Sequence, residues 1–230
     1  MINSLRVVRA IISKERTDLF NNKKMLIIMF IFPMLYLLIN VLGMDEFSND
    51  GAAFVLMHSI LVPIQIIASI VAEEKEKGTL RMLILSGVKT IEYMAGILII
   101  VLMFIVFGMI IFDQIGAFEK CDNAEGVLIS IIAIIFSMII GIIIGGLADN
   151  QVSVGAISLP VTLIIFFMPV IGMFNEKYEV VGKYIYSGVM FRVLQGHECS
   201  QIGYLSLTIN LCILMVIFSF VFKSKRIVSN

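Results

Sequence analysis

Six times along this chain, about twenty residues pass with almost no charge. The runs are Met25–Gly43, Ala52–Val71, Ile91–Phe112, Val127–Leu147, Val152–Met173 and Tyr204–Phe222. About 20 mostly apolar residues are what a helix needs to cross the hydrocarbon core of a bilayer. A barrel would instead show short alternating segments, so the expected class is all-α. Composition agrees: 15% of residues are charged and the mean hydropathy is +1.03, whereas a soluble domain carries roughly 25% charged residues. The runs extend over nearly the whole chain, which predicts one polytopic transmembrane domain over 1–230. The N-terminus does not read as a cleavable signal, because its apolar run is long and follows a long basic stretch.

Charge placement sets the expected orientation. Arg6, Arg9, Lys14, Arg16, Lys23 and Lys24 precede the first run; Lys75, Lys77, Arg81 and Lys89 sit between the second and third; Lys223, Lys225 and Arg226 follow the last. Lys and Arg concentrate on the cytoplasmic side. That puts both termini in the cytoplasm, which requires an even number of spans. The remaining four, Lys120, Lys177, Lys183 and Arg192, fall outside. The first outer loop, Met44–Asp50, is acidic, with Asp45, Glu46 and Asp50. The outer segment 174–203 mixes charges with Tyr184, Ile185, Val189, Met190, Phe191, Val193 and Leu194. It reads as a short helix that lies at the outer interface or dips back into the membrane.

Residues 1–24 read as an amphipathic helix at the membrane interface. Leu5, Val8, Ile12 and Leu19 share one side and the cations mostly another, an arrangement that places acyl chains and lipid phosphates each against a suitable face. The alternative is a basic leader that only sets topology. Asn21-Asn22 marks a break before the first span.

The densest charge lies at Glu73-Glu74-Lys75-Glu76-Lys77, directly after the second span. Gly78-Thr79 can end one helix and cap the next. Leu80, Met82, Leu83, Ile84 and Leu85 then form a short apolar helix that stops at Ser86-Gly87. Such a helix suits a groove on another protein; the bland alternative is a solvated loop.

Polar groups inside spans are costly and often mark pathways. His58, Gln65 and Ser69 recur on one face of the second span, and Ser158 and Thr162 are four apart in the fifth. They line a path or join helices by hydrogen bonds; the sequence leaves both open. Gly141, Gly145 and Gly146 form a small-residue seam, read as packing. Cys121 and Cys199 both fall outside and are able to pair in an oxidising compartment. Nothing suggests a metal site or a cofactor held by this chain, and no nucleic-acid partner is expected.

The run Glu74-Lys75-Glu76-Lys77-Gly78-Thr79-Leu80, with its apolar short helix and the turn at Ser86-Gly87-Val88, resembles the signature of type-2 ATP-binding-cassette (ABC) exporter permeases. That signature also follows the second of six spans. Lys14-Glu15-Arg16-Thr17-Asp18-Leu19-Phe20, the Pro33-bearing first span, and Pro160 and Pro169 in the fifth are similar to the family as well. Ser86 stands where the family often has Pro, and Ile97 where a Lys is common. The resemblance implies a bacterial plasma (inner) membrane permease that moves a drug, peptide or lipid-like substrate outward. It implies that Glu74, Lys75, Glu76, Gly78, Thr79, Leu80 and Leu83 couple it to an ABC ATPase chain that binds ATP and Mg. It further implies a second permease copy or homologue, with a path near the second and fifth spans, and contact with membrane lipid. No G-x-x-x-x-G-K-[ST] phosphate loop occurs here, as a transport subunit without its own ATPase site requires.

Two other classes compete. A non-transporting accessory or immunity protein would need no docking helix. An intramembrane protease would use Glu73-Glu74 with His58, but the arginine that motif needs is replaced by Gly78.

Overall fold

The computed structural model describes residues 2–43, 51–121, 123–174, 180 and 182–223. The acidic loop Met44–Asp50, Lys177, Lys225 and Arg226, which entered the orientation argument, lie outside the described residues. The helices are α1 (Ile2–Asn21), α2 (Lys23–Val41), α3 (Gly51–Glu76), α4 (Thr79–Leu85), α5 (Thr90–Gln114), α6 (Asn123–Leu147), α7 (Gln151–Phe174), α8 (Tyr186–Leu194) and α9 (Gln201–Lys223). No strand occurs among the described residues. Among the described residues, six helices, α2, α3, α5, α6, α7 and α9, are long and apolar enough to cross a bilayer. The protein is an all-α, polytopic membrane protein. Helices are the natural solution because lipid offers no partner to a backbone N–H or C=O. The same context tolerates Pro33, Pro63, Pro160 and Pro169 inside helices.

The core is built around α3. Val55, Leu56, Ile60, Ile64, Ile67 and Ala68 are fully buried along it. Its largest contact is with α6, then with α7. The glycine seam explains the first of these. A Cβ at Gly141 would stand 2.9 Å from Ile67 Cβ, and one at Gly145 2.7 Å from Val71 Cβ, so only hydrogen lets the two backbones approach this closely. At the periphery, α9 leaves Leu205, Ile213, Val216 and Phe220 exposed. Such a surface is at ease in lipid, which is as apolar as these side chains.

The leader helix α1 packs chiefly on α5. Ile11 seats in the notch left by Gly96, and Ile11 and Leu19 are buried while Leu5 and Phe20 stay exposed. Asn22 ends α1 and caps α2, its side chain accepting from the Met25 amide at 3.3 Å.

Within 174–203, α8 is buried on nearly all sides, from Tyr186 to Leu194. It packs against α6, α3, α7 and α9. The Tyr186 and Ser137 hydroxyls bond at 3.0 Å, and Ser187 donates to the Ile165 carbonyl at 2.7 Å. Ser137 stands about 21 Å along α6 from its start, at 1.5 Å per residue. The helix α8 is thus packed inside the helix bundle rather than laid on its surface.

Candidate functional site

Helix α3 does not stop where its apolar run ends. It continues through Glu76, so its charged residues form a final helical turn. Consecutive residues on a helix point about 100° apart, and each charge here meets a different neighbour.

Glu74 points at α1. Its carboxylate accepts from the Lys14 ammonium and from the Thr79 hydroxyl, and it is 7% exposed. Lys14 also donates to Glu15 Oε1 at 2.9 Å and lies 3.5 Å from Asp18. Lys75 points the other way and donates to the carbonyls of Gly146 at 3.2 Å and Ala148 at 2.9 Å. Those carbonyls close α6, where helical partners run out and a cation is favoured. Glu76 accepts from the Gln151 amide at 3.0 Å, at the first turn of α7, where an anion is favoured. Glu73 pairs with Lys77 one turn on.

One turn of α3 thus grips α1, α4, α6 and α7. The charges are not those of a solvated loop: the sequence displays their density, but not that their partners lie tens of residues away.

The electrostatics follow burial. Half-burial alone would lower the Lys14 pKa, but hydrogen bonds and charge from Glu74 and Glu15 outweigh it and hold it above the usual lysine value. Burial pushes the Glu15 carboxyl up, against the opposing pull of Lys14.

The turn between α3 and α4 rests on Gly78, whose φ of +70° lies in the left-handed region that glycine enters without steric cost. The sequence expectation for Thr79 needs correction. Its hydroxyl does not accept from the first amides of α4. It turns back and donates to the Glu74 carbonyl at 3.1 Å and to the Glu74 carboxylate, because the left-handed glycine folds α4 against the end of α3. Leu80 anchors α4, at 4% exposure, and Leu83 is half-buried. Met82 and Leu85 stand exposed, beside exposed Arg81 and Lys89. The short helix therefore presents an uncovered apolar and basic surface.

The polar span residues divide. Ser158 donates to Gln65 Oε1 at 2.7 Å, and Thr162 donates to the Ser158 carbonyl at 2.8 Å, which joins three of them at the α3–α7 contact. Ser69 makes no hydrogen bond to them. His58 lies apart, fully buried against α5, with Nε2 3.1 Å from the Ile105 carbonyl. It sits about 24 Å along α3 from Glu74, so Glu73, Glu74 and His58 assemble no joint centre. No disulfide joins Cys121 and Cys199.

Sequence reasoning left Lys14, Glu15 and Gln151 out of the site. The available signal was a Lys-Glu pair in an otherwise basic leader.

A family model described as ABC-2 family transporter protein matches residues 45–223, a stretch that begins ahead of α3 and runs through α9. No curated protein matches the chain.

Proposed function

The chain belongs to the ABC-2 transporter family, and on that premise we propose that it is the permease subunit of an ATP-driven exporter whose ATPase is a separate polypeptide. The observation that carries this reading is the turn Glu74-Lys75-Glu76, whose side chains hold α1, α6 and α7 while Thr79 ties in α4. In this reading the exposed side of α4, with Arg81, Met82 and Leu85, seats against the ATPase, which binds ATP and Mg. Movement imposed on α4 then passes through Glu74 and its neighbours to the spans.

The reading places α1, α4 and both termini at the cytoplasmic face of a bacterial plasma membrane. A second permease copy or homologue pairs with this one, and the cargo is a drug, peptide or lipid-like molecule. The outward face of α7, with Leu159, Leu163, Ile164 and Phe167 exposed, supports a helix that meets either lipid or a partner. Gln65, Ser158 and Thr162 reach the path when α7 shifts from α3.

The test is co-purification from native membranes in mild detergent. An ATPase chain bearing a phosphate loop should accompany the protein, and Leu85→Asp should release it while leaving the fold intact. Leu85 is the better probe than buried Leu80, whose replacement by Asp would damage packing as well as docking. A protein that purifies alone would favour an accessory or immunity role; an ATPase whose retention ignores Leu85→Asp would move the docking surface off α4.

A further inference from the structure

At the end of the bundle opposite α4, two adjoining cavities of about 200 and 370 Å³ lie between the last turns of α7, α8 and residues 195–203. Lys183 and Arg192 line both. The smaller one also contains Glu198, which offsets their charge. The larger adds Gln195 and His197 and, among the described residues, no carboxylate. Its remaining wall includes Pro169 and Phe191. Guanidinium has five N–H donors and ammonium three, so a protein partner does not exhaust them.

The positive-inside tendency disfavours basic residues at this end, yet two of the few placed here converge on one cavity. Within a turn of the lining residues Pro169 and Gly203, Phe167 and Ile171 on α7 and Ile202 and Leu205 on α9 are exposed apolar side chains. A volume near the low end of ligand pockets, roughly 300 Å³ and up, suits a head group rather than a whole lipid.

We propose that the larger cavity binds the anionic head of an amphiphile, a phosphate ester held by Lys183 and Arg192 whose chains lie along the bare faces of α7 and α9. Arg and Lys hold phosphate through charge-assisted bonds, and both side chains are half-buried, so their charge is screened less than at full exposure. The site stands apart from the ATPase-coupling turn and does not depend on it.

Native mass spectrometry of the full chain, released from micelles carrying equal phosphatidylglycerol and phosphatidylcholine, reads the preference. The protein should retain phosphatidylglycerol at least tenfold over phosphatidylcholine. Lys183→Gln with Arg192→Gln should remove that preference, Lys183→Arg should keep it, and Lys23→Gln with Lys24→Gln at the other end should leave it intact. Millimolar inorganic phosphate should compete if the head group alone is recognised; a preference that resists phosphate but falls with the double variant assigns the site to a lipid needing its chains. Equal retention of the two lipids, or a preference that survives the double variant, overturns the proposal.

Discussion

The Lys75 ammonium donates to the Ala148 carbonyl at 2.9 Å, so the last turn of α3 seals the end of α6 from the side. One residue earlier Glu74 holds Lys14, and one later Glu76 holds the Gln151 amide. Adjacent residues of alternating charge thus serve a leader helix, a helix C-terminus and a helix N-terminus. In each case the charge sign matches its neighbour: cation on carbonyls, anion on amide or ammonium.

If the coupling turn transmits motion, cutting one tie should weaken transport more than folding. Lys14→Met and Glu74→Gln should each lower ATP-driven transport in reconstituted vesicles about tenfold, equivalent to roughly 1.4 kcal/mol, close to the lower end for hydrogen bonds to charged groups. The double variant should be little worse than either single one, since both remove the same bond. Fully additive losses would place the two residues in separate roles.

Glu15 makes a prediction about pH. Burial holds its carboxyl above the ordinary 4.5. A group raised in the folded state supports folding below its unfolded pKa and loses that support as pH climbs through the raised value. Glu15→Gln, neutral throughout, should therefore melt no lower than the parent at pH 7, and any advantage should vanish near pH 4.5. A variant melting several degrees lower at pH 7 would mean that pairing with Lys14 outweighs burial.

The glycine seam separates close approach from mere glycine content. Gly145→Val would drive a side chain into Val71 and the Ala68 carbonyl, an overpacking cost of about 1–3 kcal/mol. Gly155 in α7 has nothing within 4 Å of its Cβ position. Gly155→Ala should stabilise by about 0.5–1 kcal/mol, the helical advantage of Ala. Thermal melts in one detergent would compare the two; equal effects would contradict the seam.

Ser158→Ala leaves Gln65 Oε1 without the hydroxyl that now serves it. The expected cost is about 1 kcal/mol, recovered in large part by adding Gln65→Leu, which removes the stranded acceptor. Should these residues line the path, either single variant will also change relative transport of two cargoes. An unaltered cargo ratio would leave them as a joint between α3 and α7.

The Cys199 thiol is raised by burial and then by the charge of Glu125, whose Oε1 also accepts from the Cys199 amide at 3.2 Å. In a Cys121→Ser, Cys212→Ser background, Glu125→Gln should speed maleimide labelling of Cys199 at pH 7 several-fold, because more of it is thiolate. No change would mean that burial alone governs its reactivity.

The spans were legible because lipid imposes a length and a lack of charge that a sequence displays directly. The break at Gly78 was legible for a local reason too, a glycine followed by a new apolar run. The grip of Glu74 on Lys14 was not, because sixty residues separate them and no periodicity reports a contact at that range. Thr79 was misread because a cap and a back-turned hydroxyl have the same local sequence, and only the left-handed glycine before it decides between them. The nine residues of α8 are too few to announce a span. Their apolar character fits a surface helix as well as a buried one until Ser137 and Ile165 are seen to receive them.

One consequence of the continuous α3 remains. Its 26 residues make a rod of about 39 Å, with its charged turn at one tip and its middle clasped along α6. Such a rod is a lever. A tilt of about 10° about its clasped middle would move each tip by roughly 3 Å, in opposite directions. A push at the Glu74 tip would thereby reappear, reversed and of similar size, at the far tip, a bilayer's thickness away.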